Sequence, residues 1–377
     1  MPWRAAPGEA LDSKLTMDPK LYERYSRQIL FEGIGEAGQQ RLLESSAVLV
    51  GCGALGTAVA NLLVRAGLGR LRIVDRDFVE PSNLQRQTLF TESDARQALP
   101  KAVAAERRLG EINSSVRVEG VVADLRPENA EELLSGFPLV LDGADNFETR
   151  LLMNDVAVKF GMPWIYAAVI ASYGVTMTIE PGRTPCLACL TEADDADAAL
   201  AGDGSGAGAK TGAEPTCDTA GVLASAATAI AALEAAAALR LLSRAPGETS
   251  AHESAAGQLA SLNVWTSRFQ TIRVARREDC RACGRHEFSY LEGHAQPHLT
   301  MCGRDSVQIH ERRRRLDLAA LEQRLTATVS DVKHNNFLLQ FRVPPYQMTV
   351  FADGRAIVKG TRDPAVARSL YARYIGS

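Results

Sequence analysis

The run Ala47-Val48-Leu49-Val50 passes directly into Gly51-Cys52-Gly53-Ala54-Leu55-Gly56, and about twenty residues further on a second apolar run, Leu71 to Val74, stops at Asp75. A strand, a glycine turn, a helix and a second strand with an acid at its tip make a βαβ unit built to hold a nucleotide. The glycines let the backbone approach a phosphate, which sits at the helix start where free N–H groups and the helix dipole favour negative charge. Gly51, Gly53 and Gly56 are therefore candidate phosphate-cradling residues, and Asp75 is placed to accept hydrogen bonds from ribose hydroxyls. Read alone, the pattern suggests NAD and a hydride-transferring oxidoreductase.

The residues after Asp75 favour another nucleotide. The chain continues through Asn83 and Arg86 to Lys101 at the start of a helix, which puts two cations and several amides near the phosphates. A triphosphate needs more neutralisation than a dinucleotide's pyrophosphate does. Strand and helix patterns alternate as far as Phe160: a helix from Lys101 to Ile112, a strand around Val116 to Val122, a helix around Glu128 to Leu134, and a buried strand from Pro138 to Leu141 that ends on Asp142-Gly143-Ala144-Asp145-Asn146. Acids at the carboxyl end of such a strand lie beside the ligand crevice. The strand-rich segments Trp164 to Ile170, Val175 to Ile179, Ser261 to Trp265 and Phe269 to Ala275 are expected to extend the sheet in antiparallel fashion. The fold class is α/β: a Rossmann-like, mostly parallel sheet with helices on both faces and an antiparallel continuation.

The chain has 377 residues, 46% hydrophobic and 23% charged, enough for one large domain and a small one. The expected organisation is a flexible tail over 1–18, a main domain over 19–297 with a flexible loop at 191–214, and a small α/β domain over 298–377. The last should run strand, helix from Leu316 to Leu325, several strands with a hairpin at Asp353-Gly354, and a helix from Pro364 to Tyr374. A formal net charge of −3 argues against broad attraction to nucleic acid or acidic membrane. The Arg312 to Arg315 run is short and has no interleaved aromatics. The apolar stretch Val222 to Leu242 is interrupted by Glu234 and Arg240 and reads as a buried helix rather than a membrane span. Without a secretory signal the expected setting is cytoplasmic.

Cys186-Leu187-Ala188-Cys189 and Cys280-Arg281-Ala282-Cys283 form two C-x-x-C pairs, whose four thiolates match tetrahedral zinc. Four protein ligands leave no open position, so the ion should hold shape rather than perform chemistry.

Taken in order, Arg24-Tyr25-Ser26-Arg27-Gln28, the glycine loop, Ser82-Asn83-Leu84-Gln85-Arg86-Gln87, Pro100-Lys101, Asp142 to Asn146, the C-x-x-C pairs and Thr216-Cys217 before Ala220-Gly221-Val222 resemble the ThiF/MoeB/HesA family, bacterial relatives of the ubiquitin-activating enzymes. The resemblance covers Leu21 to Arg285. It implies ATP-dependent adenylation of the C-terminal glycine carboxylate of a small ubiquitin-like (β-grasp) sulfur-carrier protein ending in Gly-Gly, for sulfur transfer of the thiamine or molybdenum-cofactor type. It also implies structural zinc and a homodimer, with a sulfur donor protein as a further partner. By resemblance Arg86 and Lys101 serve the phosphates, Asp75 the ribose, Asn83 nucleotide and phosphate contacts, and Asp145 magnesium. Arg27 matches an arginine that reaches the phosphates of the neighbouring subunit. Asp142 is the weaker of the two late acids, its place suiting a cap for the next helix. Cys217 matches a cysteine that in some relatives joins covalently to the carrier and in others is dispensable. Cys52 and Cys302 read as structural. The segment after His298 is too short for a rhodanese domain and lacks its active-cysteine loop. An NAD-dependent oxidoreductase gives no reason for Arg86, Lys101 and Asp145 to cluster, and adenylation of a tRNA base is weakened by the acidic net charge.

Overall fold

A computed structural model describes residues 17–191, 220–245, 257–293, 306–309, 316–326 and 328–376. Cys217, Cys302, the Arg312 to Arg315 run and nearly all of the 1–18 and 191–214 segments lie outside the described residues.

The helices are α1 (Pro19–Ile29), α2 (Gly35–Glu44), α3 (Ala54–Ala66), α4 (Glu92–Arg96), α5 (Lys101–Ile112), α6 (Pro127–Leu134), α7 (Phe147–Phe160), α8 (Leu187–Thr191), α9 (Ala224–Ser243), α10 (Leu318–Leu325) and α11 (Pro364–Tyr374). The strands of the first sheet are β1 (Ser46–Val50), β2 (Arg70–Asp75), β3 (Arg117–Val122), β4 (Val140–Asp142), β5 (Trp164–Ile170), β6 (Tyr173–Ile179), β7 (Gln258–Asn263) and β8 (Arg268–Arg273). They form one eight-stranded sheet in the order β3-β2-β1-β4-β5-β6-β7-β8. Pairings from β3 through β5 are parallel, and those from β5 onward are antiparallel. β1 has apolar residues on both faces because it lies in the middle of the sheet with helices above and below. One face is covered by α2, α3, α5 and α9, the other by α6, α7, α8 and the cysteine-bearing turns.

α9 is the one helix among the described residues long and apolar enough to cross a membrane. It packs along α3 and across β5 and β6, and its Glu234 is fully buried. Its alanines allow that close approach, in line with the expected buried helix.

The Arg24–Gln28 motif fastens α1 to this body. Arg24 Nη2 donates to Ile112 O, Asn113 Nδ2 donates to Tyr25 Oη and to Val64 O, and Gln28 Nε2 donates to Gln39 Oε1 and Ala66 O. A Cβ on Gly67 would collide with the Tyr25 ring at 2.6 Å, so this glycine gives α1 its seat.

A second, five-stranded antiparallel sheet has the order β10-β11-β12-β13-β9, from β9 (Ser306–Ile309), β10 (Ser330–His334), β11 (Leu338–Val343), β12 (Tyr346–Phe351) and β13 (Ala356–Lys359). The β12–β13 hairpin turns at Asp353-Gly354, and α11 has the bounds expected from sequence. α10 starts two residues later than expected, because the Asp317 side chain accepts from the Ala319 and Ala320 N–H groups and caps it there. Alternate strand residues pack against α10 and α11 in a core of their own. Leu338, Phe351 and Ile357 belong to the other face and pack against Phe78 of the first body.

Three glycines decide how closely the first sheet's central elements meet. A Cβ on Gly56 would lie 2.1 Å from Gly51 O, one on Gly51 2.3 Å from Gly143 O, and one on Gly143 2.3 Å from Gly51 O. β1, the start of α3 and the end of β4 therefore touch through bare backbone. Gly56→Ala should destabilise the fold by about 1–3 kcal/mol, the usual cost of overpacking a tight contact. A thermal melt that matches wild type would contradict this account of the contact.

Candidate active site

At the carboxyl ends of β1, β2, β3 and β4 lies a cleft lined by residues of four loops, among them Gly51, Gly53, Asp75, Asp77, Lys101 and Asp145. α3 begins there. Its N-cap is Gly53, with no side-chain cap, so the first N–H groups of a helix of 13 residues are left for a ligand. Whereas Gly51 and Gly56 are needed for packing, a Cβ on Gly53 would meet nothing nearer than Gln87 Nε2 at 4.0 Å. The space a side chain would fill at Gly53 is open to a phosphate. The sequence motif thus splits into two glycines required by packing and one, Gly53, that borders open space in the cleft.

Asp75 is buried at the tip of β2. Its Oδ2 accepts the Cys52 N–H at 2.6 Å and its Oδ1 the Asp77 N–H at 2.7 Å. This acid therefore fixes the glycine loop to β2, and each oxygen retains a lone pair for a hydroxyl donor. Burial raises its pKa, with Lys101 opposing the shift. Cys52 is buried under the turn, as expected for a structural residue. Lys101 is buried as well, its Nζ 3.0 Å from Asp77 Oδ2 and its backbone N donating to Asp77 O at 2.8 Å. That ion pair holds a cation in the cleft wall.

Asn83 is buried outside the cleft lining, and its Oδ1 accepts the Glu80 N–H at 2.9 Å while its Nδ2 has no partner among the described residues. Gln87 nearby also keeps a buried oxygen, Oε1, without a partner among the described residues. Arg86 lies outside the cleft lining, and its Nη1 donates to Ser82 O. Arg27 is exposed on α1 and likewise does not line the cleft. Its neighbours Arg24, Tyr25 and Gln28 are all engaged in anchoring that helix, whereas the Arg27 side chain has no hydrogen bond or ion pair among the described residues.

Asp145 is exposed in the cleft, where its Oδ1 accepts from Asn146 Nδ2 at 3.0 Å. Asn146 caps α7 by accepting the Thr149 N–H at 2.8 Å. The capping place suggested for Asp142 belongs to Asn146 instead. Asp142 is fully buried: its Oδ2 accepts from Arg150 Nε at 2.9 Å and its Oδ1 from the Ala144 N–H, while its own N–H donates to Glu234 Oε1 at 3.0 Å. Arg150 also donates to Ala144 O and Ala167 O. This cluster sits directly behind the Gly143–Asp145 wall and holds it in place.

Arg76 and Asp124 complete one side of the cleft with a 2.9 Å ion pair. Sequence reasoning did not single out Arg76, Asp124, Arg150 or Glu234 as site residues. An acid in the middle of an alanine-rich helix was the one available signal, at Glu234.

The four cysteines of the C-x-x-C pairs converge on the opposite face of the sheet. Their sulfurs lie within 4.8 Å of one another and are buried, with Cys186–Cys280 at 3.6 Å and Cys189–Cys283 at 3.4 Å. A four-coordinate metal with ligands about 2.3 Å away requires sulfurs roughly 3.8 Å apart, and the cluster is close to that. Arg281 anchors the second pair by donating to buried Asp155 of α7 at 3.0 Å and 3.2 Å.

Burial raises the Glu234 pKa well above the usual carboxylate value, and nearby Asp142 adds to the shift. A carboxyl whose folded pKa is raised stabilises fully below its unfolded pKa and loses that contribution as pH rises through the folded value. Glu234→Gln removes the titration and keeps the shape. Its melting temperature relative to wild type should therefore rise from pH 5 to pH 8. A difference that stays constant across that range would contradict the assignment.

Residues 25–282 match the ThiF family model. A sulfur carrier protein ThiS adenylyltransferase of Bacillus subtilis is 43% identical over 357 residues, covering 94% of this chain and 99% of the relative. A sulfur carrier protein adenylyltransferase of Thermus thermophilus is 36% identical, covering 70% of this chain and 90% of the relative. Among solved structures, Escherichia coli MccB superposes with a TM-score of 0.56 at 22% identity, covering 69% of this chain and 74% of that one, a likeness of fold. With its glycine loop, uncapped helix start and paired acid and lysine in one cleft, this chain belongs to the ThiF family.

Proposed function

We infer that the chain is an ATP-dependent adenylyltransferase that joins AMP to the C-terminal glycine carboxylate of a ubiquitin-like sulfur-carrier protein and releases pyrophosphate. The pathway is sulfur transfer of the thiamine or molybdenum-cofactor type. The observation that carries this reading is the cleft itself, in which an uncapped helix start, a buried lysine and an exposed acid meet, in a chain matching a sulfur-carrier adenylyltransferase along nearly its whole length. The cleft fits a nucleotide by two signs: the open space at Gly53 and the uncapped N–H groups at the start of α3.

The chemistry follows from charge. A carboxylate oxygen forms a bond to the α-phosphorus as the bond from that phosphorus to the bridging oxygen of the β-phosphate breaks, and the electron pair leaves with pyrophosphate. An anion attacking a polyanion is slow unless the protein supplies positive charge in a fixed geometry. Lys101 offers a preset cation, and the N–H groups at the start of α3 offer dipoles that need no reorganisation. Asp75 would orient the ribose with its remaining lone pairs, Asn83 would donate to the nucleotide, and Arg86 would swing from Ser82 toward the phosphates. Asp145 is the residue we assign to magnesium, which when bound neutralises charge on the leaving pyrophosphate. We assign Arg27 to the phosphates of a second subunit in a homodimer. That its side chain makes no hydrogen bond or ion pair among the described residues supports this, because an arginine finger must be available to a partner. Cys217 is proposed as a thiol that attacks the carbonyl of the carrier's acyl-adenylate, forming a thioester as the bond from that carbonyl to the phosphate oxygen breaks and AMP leaves, the thiol giving up its proton. A cytoplasmic setting suits the substrates. An NAD-dependent oxidoreductase would leave Lys101 and Asp145 without a task.

We further propose that the four cysteines hold zinc and that residues 298–377 form a small appended α/β domain. The metal would tie the turn after β8 to α8 and so to the middle of the main domain. One zinc per chain is expected, and its removal by a chelator should lower the melting temperature; a metal-free chain of undiminished stability would contradict the site.

Asp145→Ala should reduce ATP–pyrophosphate exchange in the presence of carrier by at least about a hundredfold, a typical loss when charge stabilisation in the transition state is removed. Far-UV circular dichroism and the melting temperature should remain those of wild type, because Asp145 is exposed. Retained exchange would overturn the metal assignment.

A further inference from the structure

The second sheet has two faces, and only one is taken up by its own helices. The residues alternating with its helix-packed core point toward the first body and land on a small part of it. Gln308 Nε2 donates to Asp124 Oδ2 at 3.1 Å, and Arg355 Nη2 donates to Arg76 O at 3.2 Å. Lys359 pairs with Glu80. Asn335 Nδ2, from the loop after β10, donates to Gln97 O at 2.8 Å. Between these polar contacts the Phe351 and Phe78 rings meet at 6.3 Å.

All of these landing points lie in two loops, the one between β2 and α5 and the one after β3. These loops form one wall of the cleft, through Arg76, Asp77 and Asp124. Asp124 is gripped from both sides, by Arg76 Nη1 at 2.9 Å and by Gln308. Glu80, held by Lys359, caps the single helical turn Pro81–Asn83 and exchanges hydrogen bonds with Asn83. A contact from the second sheet is thus two links from the buried amide whose Nδ2 lacks a partner among the described residues. Arg355 is fully buried, stacked 4.2 Å over the Phe351 ring and held by Asp353 at 2.8 Å, so it has little freedom to yield.

We propose that the second sheet is a positioning element for the nucleotide: through Lys359, Gln308 and Arg355 it fixes the loops that present Arg76, Asp77 and Asp124 to the cleft and the turn that carries Asn83. This rests on the reading of the cleft as the ATP site. Loops of this length are ordinarily the mobile part of an α/β enzyme, and a ligand site on them must be held from behind. A carrier-docking platform would not need its contacts concentrated on the nucleotide loops.

The test uses the full-length chain in ATP–pyrophosphate exchange at saturating carrier, with melting temperatures measured in parallel. Lys359→Met and Gln308→Ala should each raise KM for ATP about fivefold, the factor a lost hydrogen bond ordinarily represents. KM for the carrier should not change, and Lys359→Arg, which keeps the charge, should return KM for ATP toward wild type. A lowered melting temperature with unchanged KM for ATP would make the sheet a tether only and overturn the proposal. A raised KM for the carrier alone would make it a docking surface, with the same consequence. A wild-type chain that neither binds ATP nor supports exchange would instead bring down the underlying reading of the cleft, and the wild-type control shows this before any variant is compared.

Discussion

Backbone contact between Gly51, Gly56 and Gly143 sets the distance between β1, α3 and β4, and the cleft depends on that distance. Any Cβ at these positions would push the start of α3 away from the strand tips. With α3 seated, its free N–H groups face the same space as Asp75 and Lys101, at the two ends of the β2–α5 connection, and Asp145, in the loop after β4. Asp75 locks the arrangement by accepting one N–H from the glycine loop and one from its own loop. A single buried carboxylate thus serves the geometry before it serves any ligand.

Around this centre the charges are arranged in opposed layers. Lys101 is balanced by Asp77 and Arg76 by Asp124, and behind the opposite wall Asp142 is balanced by Arg150. Pairing offsets part of the cost of burying these ions in the free protein, and it fixes their positions before any polyanion arrives. Glu234, pushed toward its neutral form by burial, can accept the Asp142 N–H without adding a second full charge beside Asp142. The metal-type cluster and the Arg281–Asp155 pair perform a similar bracing task on α7, on the face of the sheet that they share with it.

Much of the fold was readable in the sequence because local signals agree with the tertiary outcome. α5 starts at Lys101 directly after Pro100, and α11 starts at Pro364 after the capping Asp363. The antiparallel extension beyond β5 was also legible as short strands separated by turns. The pairings that brace the site were not. Asp142 meets Arg150 eight residues on, Glu234 meets Asp142 from 92 residues away, and Asp155 meets Arg281 across 126. Nothing local distinguishes such residues from surface charges. The Arg24–Gln28 motif was recognisable as a unit, yet the division between its anchoring members and Arg27, whose side chain has no hydrogen bond or ion pair among the described residues, required the fold. Likewise, the C-terminal segment reads from sequence as strands with a hairpin at Asp353-Gly354, and only the structure shows that the second face of their sheet rests on the loops beside the cleft.

The central claim is that this cleft transfers the α-phosphorus of ATP to the terminal carboxylate of a carrier. The most direct measurement follows ATP labelled at that phosphorus, incubated with the enzyme and a candidate carrier ending in Gly-Gly or the same carrier lacking that tail. The account predicts label on the intact carrier as an acyl-adenylate, with pyrophosphate released, and none on the truncated one. Label that never leaves ATP with any such carrier, or that appears equally on the tail-less form, would contradict it.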